Sequence, residues 1–317
     1  MISTRPFAVG VVSVLATLTA SARVSAGQAP WQPTAGHQQI PIWPNSPPGH
    51  SVNDSVEKAG IVIHSGKPAL VGGKPWTYVA NVSRPTITIY APHGHNTGAA
   101  MLVFPGGGYE VLAIDLEGTE ACDWVTSKGM TCMLLKYRVP CDVAGRYREC
   151  VTALQDAQRA ISLVRFNAAK WHIAPHKIGV LGFSAGGHMV VTTTTEFSRR
   201  AYRAVDAVDA MSCRPDFGIA LYPGHLATHT RPSLNPHVHV TSATPPTMLV
   251  QAKDDPVDPV ENSLLYFAAL QKAGVPAELH IFVHGGHAFG LRPTDQPITH
   301  WPALAESWLA SIGMIPR

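Results

Sequence analysis

Residues 180–188 read VLGFSAGGH, an apolar run that gives way to small residues around a single serine. The run has the character of a buried strand, and the residues after the serine that of a helix. A strand that turns into a helix over one residue forces strained backbone angles on it. Side chains two positions to either side would then collide, so Gly182 and Gly186 are needed. This G-x-S-x-G pattern puts Ser184 at the tip of a nucleophile elbow. The plainer account is a tight turn whose serine caps the following helix.

Working outward from the elbow, short apolar runs alternate with longer helical stretches from Pro85 onward. Such alternation specifies the α/β class, a mostly parallel central sheet with helices on both faces. Strands are predicted at 86–90, 99–104, 132–137, 177–183, 217–221, 247–252 and 277–283. Helices are predicted at 118–128, 151–171, 185–195, 259–273 and 299–312. No repeat occurs at a fixed period.

A serine hydroxyl is a weak nucleophile until a histidine takes its proton and an acid orients that histidine. In this architecture the three follow in the order serine, acid, histidine, on loops at the carboxyl ends of strands. The strand TMLVQA is followed by KDDPVDPVE, residues 253–261, and the strand AELHIFV by HGGHAFG, residues 284–290. Asp258, with Pro259 after it and Glu261 three residues on, fits the N-cap of the next helix. Asp254 and Asp255 remain as candidate acids, and spacing alone does not choose between them. His284 continues the strand alternation, whereas His287 lies beyond two glycines that let the chain turn over the sheet edge, so His287 is the better base.

The tetrahedral intermediate of acyl transfer also needs amide donors for its oxyanion. Ala185, following the serine, supplies one. The loop after AAMLVF reads Pro105-Gly-Gly-Gly-Tyr109, which can turn backbone N–H groups into the site without a Cβ in the way. No Lys-Ser or Lys-Thr follows, which argues against a phosphate cradle.

These motifs, PGGGY, GFSAGGH, DDPVDPVENS and GGHAFG, with CRPDF at 213–217 and YRVP at 137–140, resemble the α/β-hydrolase serine esterases related to bacterial acetylxylan esterases. The resemblance covers about residues 40–312. It implies Ser184 as nucleophile, His287 as base, and Gly107 and Gly108 with Ala185 around the oxyanion. The family's acid lies in an Asp-x-x-Val-Pro pattern, which selects Asp255. Asp258 stands here where valine is usual and is the reserve acid. The resemblance further implies O-deacetylation of plant polysaccharides such as xylan or their fragments, with feruloyl and short-chain esters as alternatives. No cofactor or metal is called for.

The remaining composition sets the context. With 317 residues, 45% hydrophobic and 14% charged, the chain can bury one large core. Residues 1–26 read as an export signal: Arg5, the apolar run 7–18, then Val24-Ser25-Ala26. The run falls short of the roughly 20 residues of a spanning helix. The expected organisation is a leader at 1–26, a proline-rich extended arm at 27–59 and a catalytic domain at 60–317. The mature protein is expected to be secreted or periplasmic and free of the membrane. Loss of Arg5 and Arg23 changes 24 basic residues against 21 acidic into 22 against 21, so charge makes no case for nucleic acid or an anionic membrane surface.

Export permits disulfides among Cys122, Cys132, Cys141, Cys150 and Cys213, and an odd count leaves one over. Cys141 and Cys150 flank the polar DVAGRYRE and form the best candidate bridge. Cys122 and Cys132, on a predicted helix and strand, read as small buried hydrophobes. The irregular 222–247 connection is placed to cover the serine; its His225, His229, His237 and His239 lack cysteine or carboxylate companions, so a metal site is not expected. Tyr109, Trp31 and Trp43 are candidates to stack on a sugar ring. Besides the esterase, two other functions fit: a prolyl-oligopeptidase-like serine peptidase, which shares the core, and a hydrolase-fold binding protein with a silent site.

Overall fold

Continuous apolar runs such as AMLVF and IGVLGF cannot alternate between core and solvent, so strands made of them must be covered on both faces. A computed structural model, which describes residues 30–49, 55–141, 150–228 and 233–317, shows how. The main sheet has eight strands: β1 (Gln38–Pro41), β2 (Thr86–Tyr90), β3 (Ala100–Phe104), β4 (Thr131–Lys136), β5 (Ile178–Phe183), β6 (Phe217–Leu221), β7 (Thr247–Ala252) and β8 (Ala277–Phe282). They lie in the order β1-β2-β4-β3-β5-β6-β7-β8. The first two pairings are antiparallel and the rest parallel. Every residue of β3 to β7 is buried.

Among the described residues, five α-helices cover the sheet: α1 (Glu120–Ser127), α2 (Val151–Phe166), α3 (Ala185–Thr195), α4 (Glu261–Lys272) and α5 (Trp301–Ser311). α1 and α5 share one face, their Trp124 and Trp301 rings 5.5 Å apart. On the other face, Gln158 of α2 donates to the Glu196 carbonyl at the end of α3, and the hydroxyls of Thr194 in α3 and Tyr266 in α4 meet at 3.1 Å. The topology and the two-sided cover are those of an α/β hydrolase. None of the helices described is long and apolar enough to cross a membrane.

The expected leader lies outside the described residues, and so do the DVAGRYRE loop and His229. The arm is not strand-free: β1 pairs with β2 in the register Gln38↔Ile89 to Pro41↔Thr86. Proline is tolerated there because β1 is an edge strand with one side free of ladder bonds. Ile42 and Trp43 then enter the core, 1% and 4% exposed, so the arm is built into the domain. Trp43 donates to buried Asp156, which rules out a sugar-stacking role for its ring.

Residues 58–113 hold elements too short for periodicity to reveal. Strands Lys58–Ile61, Thr77–Ala80 and Val111–Ala113 form a small antiparallel sheet, and two hairpins lie between the first two. Arg292 clips the second hairpin in place, donating to the carbonyls of Lys74 and Pro75 at 2.7 and 3.0 Å while binding Glu120.

Cys141 and Cys150 are bonded, as expected. The reading of Cys122 and Cys132 as unpaired hydrophobes is corrected: they form a second disulfide that ties α1 to β4 across a Cα separation of 5.2 Å. Each sits on its predicted element, but the packing of α1 against β4 brings them within bonding span. Cys213 is free and buried.

Candidate active site

At the end of β5 the chain reverses into α3 within one residue, and Ser184 takes φ +53°. A β-carbon on Gly182 would run into the Gly186 carbonyl, and one on Gly186 into the Phe104 carbonyl, so both glycines are sterically required. The Ser184 side chain makes no cap bond to α3. Its Oγ lies 2.9 Å from Nε2 of His287, whose Nδ1 lies 2.8 Å from Asp255 Oδ2. The structure thus joins residues 184, 255 and 287 in one hydrogen-bonded line.

The three aspartates beyond β7 have separate partners. Asp255 is locked in place: Oδ1 accepts from the amides of Val257 and Asp258 at 2.8 and 2.9 Å, and Oδ2 from Gln251 as well as His287. Exposed Asp254 pins the histidine loop by accepting from the amides of Gly285 and Gly286 at 3.0 and 2.8 Å, and it meets His284 at 3.1 Å. His284, the rival base, faces that aspartate rather than the serine. Asp258 is not the helix cap that its sequence context suggests. α4 starts at Glu261 with Val260 at the cap and no side-chain cap bond, while Asp258 is turned inward, 2% exposed, with Oδ2 4.0 Å from His287 Nε2.

His287 feels opposing influences. Burial works to lower its pKa, but the hydrogen bond and charge of Asp255, with the charges of Asp258 and Glu117, outweigh it and raise the pKa above the ordinary value. The protonated form that appears once the imidazole takes a proton is therefore the favoured one.

The glycine loop runs beneath the serine. Gly106 is close enough that a β-carbon would lie 3.0 Å from Ser184 Cβ, and its amide donates to Glu117 at 2.8 Å. Gly107 and Gly108 take φ +125° and +65°, and a β-carbon on Gly107 would strike the Val111 carbonyl. The Gly106 amide is thus engaged by Glu117 and is not open to a substrate. Tyr109 is not an exposed stacking platform: it is 3% exposed, and its hydroxyl bonds His188 Nδ1 at 3.0 Å.

Two residues of the site escaped the sequence reading. Fully buried Glu117, whose pKa burial raises, accepts from the Gly106 amide and from the Tyr222 hydroxyl at 2.8 Å. Tyr222 stands edge-on to His287 with ring centroids 4.9 Å apart, and its oxygen accepts from the Gly290 amide at 3.3 Å. Together they brace the glycine loop against the histidine loop. Only the position of Tyr222, immediately beyond the carboxyl end of β6, hints at this from sequence.

The model of the prolyl oligopeptidase family matches residues 124–312, more than half of the chain and all of the serine, acid and histidine loops. The chain belongs to this family. Among its relatives, an acetylxylan esterase from Xylanibacter ruminicola is 28% identical over 219 residues, covering 61% of this chain and 42% of that protein. Endo-1,4-beta-xylanase B from Butyrivibrio fibrisolvens is 31% identical over 219 residues, covering 63% of this chain and 34% of that one. The chain therefore spans less than half the length of these two relatives. Among solved structures, the acetyl ester-xyloside bifunctional hydrolase from Caldicellulosiruptor lactoaceticus superposes with a TM-score of 0.69 at 34% identity, covering 88% of this chain and 97% of the other.

Proposed function

We propose that this protein is an exported serine carboxyl-ester hydrolase that removes O-acetyl groups from plant polysaccharides such as xylan, or from their oligosaccharides. The observation that carries the reading is the line Ser184 Oγ, His287, Asp255, with contacts of 2.9 and 2.8 Å. Ser184 attacks the ester carbonyl while His287 takes its proton, and Asp255 holds the imidazole and the positive charge that forms on it. The amides of Gly107, Gly108 and Ala185 receive the oxyanion. His287 returns the proton to the departing alcohol, leaving an acyl-serine, and water then repeats the sequence to release the acid. The xylan part of the reading is supported by the relatives with xylan-linked names. Export is supported by the leader-like residues 1–26.

The family's peptidase name favours a second reading, cleavage of proline-containing peptides by the same acyl-transfer machinery. One comparison separates the two: release of acetate from acetylated xylan and xylo-oligosaccharides, beside esters running from acetate to ferulate and a proline peptide. The expected outcome is release from acetylated xylo-oligosaccharide with turnover falling as the acyl group lengthens. Peptide cleavage without acetate release would overturn the esterase reading.

A further inference from the structure

The imidazole of His287 has a carboxylate on each side. Asp255 binds Nδ1, and Asp258 Oδ2 stands 4.0 Å from Nε2, the nitrogen that meets Ser184. Asp258 Oδ2 is buried with no hydrogen-bond partner among the described residues. Gly224 closes over the carboxyl so tightly that a β-carbon there would lie 2.6 Å from Oδ1 and 2.8 Å from Oδ2. A carboxylate enclosed in this way is costly unless it loses its charge or finds a positive partner, and the nearby group able to become one is the imidazole.

We propose that Asp258 is a positioning carboxylate for His287: facing the nitrogen that carries the proton, it holds the imidazolium and sets the pH at which the imidazole becomes free to act as a base. The other groups facing His287 are Asp255 from the same loop, Glu117 from the turn before α1, Tyr222 beyond β6, and Ser184 at the elbow. Asp255 and Glu117 are fixed by their hydrogen bonds to backbone amides.

The sign follows from the charges. Burial pushes the Asp258 carboxyl up to about 6; the charge of His287 opposes this and that of Asp255 adds to it. His287 is itself held above its ordinary value, with the charge of Asp258 among the causes, so the carboxyl and the imidazole titrate as a coupled pair. At low pH the carboxyl is neutral and the imidazole charged, so Ser184 has no base. When the first proton leaves, the resulting ion pair resists loss of the second, and only that second loss activates the serine. Replacing Asp258 by a neutral residue removes this resistance, so the base appears at lower pH.

This inference rests on the reading of Ser184 and His287 as a nucleophile and its base. The test is the rate at which a fluorophosphonate labels Ser184 between about pH 4 and about pH 9, a range that brackets histidine titration. The readout needs no knowledge of the natural ester. It is measured for the native chain, Asp258→Asn and Asp258→Val, with melting temperatures alongside. Both variants are expected to label with an acid limb moved down by about one pH unit, the shift an opposite charge at this distance produces. An unmoved limb in both variants, whatever their melting temperatures, would overturn the inference and leave Asp258 a structural residue. Absence of labelling in the native protein at every pH would overturn the catalytic reading itself, and this one with it.

Discussion

Asp156 in α2 and Asp258 beside the site are buried almost equally, at 0% and 2% exposure, and the fold treats them in opposite ways. Asp156 accepts from the Arg138 backbone amide at 3.0 Å, from Arg138 Nε and Nη2, and from Trp43 Nε1 at 2.8 Å. The guanidinium is itself satisfied by Gln155 and by the carbonyls of Thr152 and Pro48. Asp258 has an imidazole at 4.0 Å and an oxygen with no hydrogen-bond partner among the described residues. The permanent charge of Arg138 makes the first carboxylate a joint of the scaffold, linking the arm, the segment just beyond β4 and α2. The charge facing the second comes and goes with a proton. Burial alone therefore says little about what a carboxylate does; the constancy of its counter-charge says more.

The comparison can be broken at either end. Replacing Asp156 by Asn leaves Arg138 as an uncompensated buried charge and is expected to cost about 3–5 kcal/mol in urea unfolding, with labelling of Ser184 retained by the molecules that remain folded. A loss below about 1 kcal/mol would show that the joint is not structural. Replacing Asp258 by Val has the opposite expected sign. Its folded pKa of about 6 lies above the ordinary carboxyl value of 3.8, so its contribution to stability is present below the unfolded pKa and is lost as pH rises through about 6. The valine variant should therefore be more stable than the native chain at pH 8, by up to about 3 kcal/mol, and equal to it near pH 4. A melting temperature that falls equally at both pH values would contradict this.

Legibility in the sequence followed the same division. β3 to β7 could be read because a strand buried on both faces is apolar over most of its length, polar residues such as Lys136 and Gln251 falling near its ends. The elbow could be read because only glycine fits at positions 182 and 186. β1 was hidden by the prolines around it, and the hairpins between residues 58 and 80 are too short to show alternation. Asp258 misled because Asp-Pro-Val-Glu carries the local signature of a helix cap, whereas its carboxyl is turned inward beside Gly224 and His287, neighbours that the local sequence does not show. The Cys122–Cys132 bridge, Glu117 and Tyr222 likewise depend on which elements pack together. Ser184 and His287 could be named in advance because their loops follow strands in a fixed order, while Asp255 was chosen over Asp254 only by the family resemblance. Of their surroundings the glycine loop could be named too, but Glu117, Tyr222 and the inward turn of Asp258 could not.

The central claim is that Ser184 owes its reactivity to His287 as oriented by Asp255, and the most direct test is to map and time the covalent adduct formed with a fluorophosphonate in the native chain and in Asp255→Asn. The account predicts a single adduct on Ser184, with the rate reduced about 10⁴-fold in the variant, the loss that accompanies a misoriented imidazole. An adduct on another residue, or equal rates in the two proteins, would contradict it.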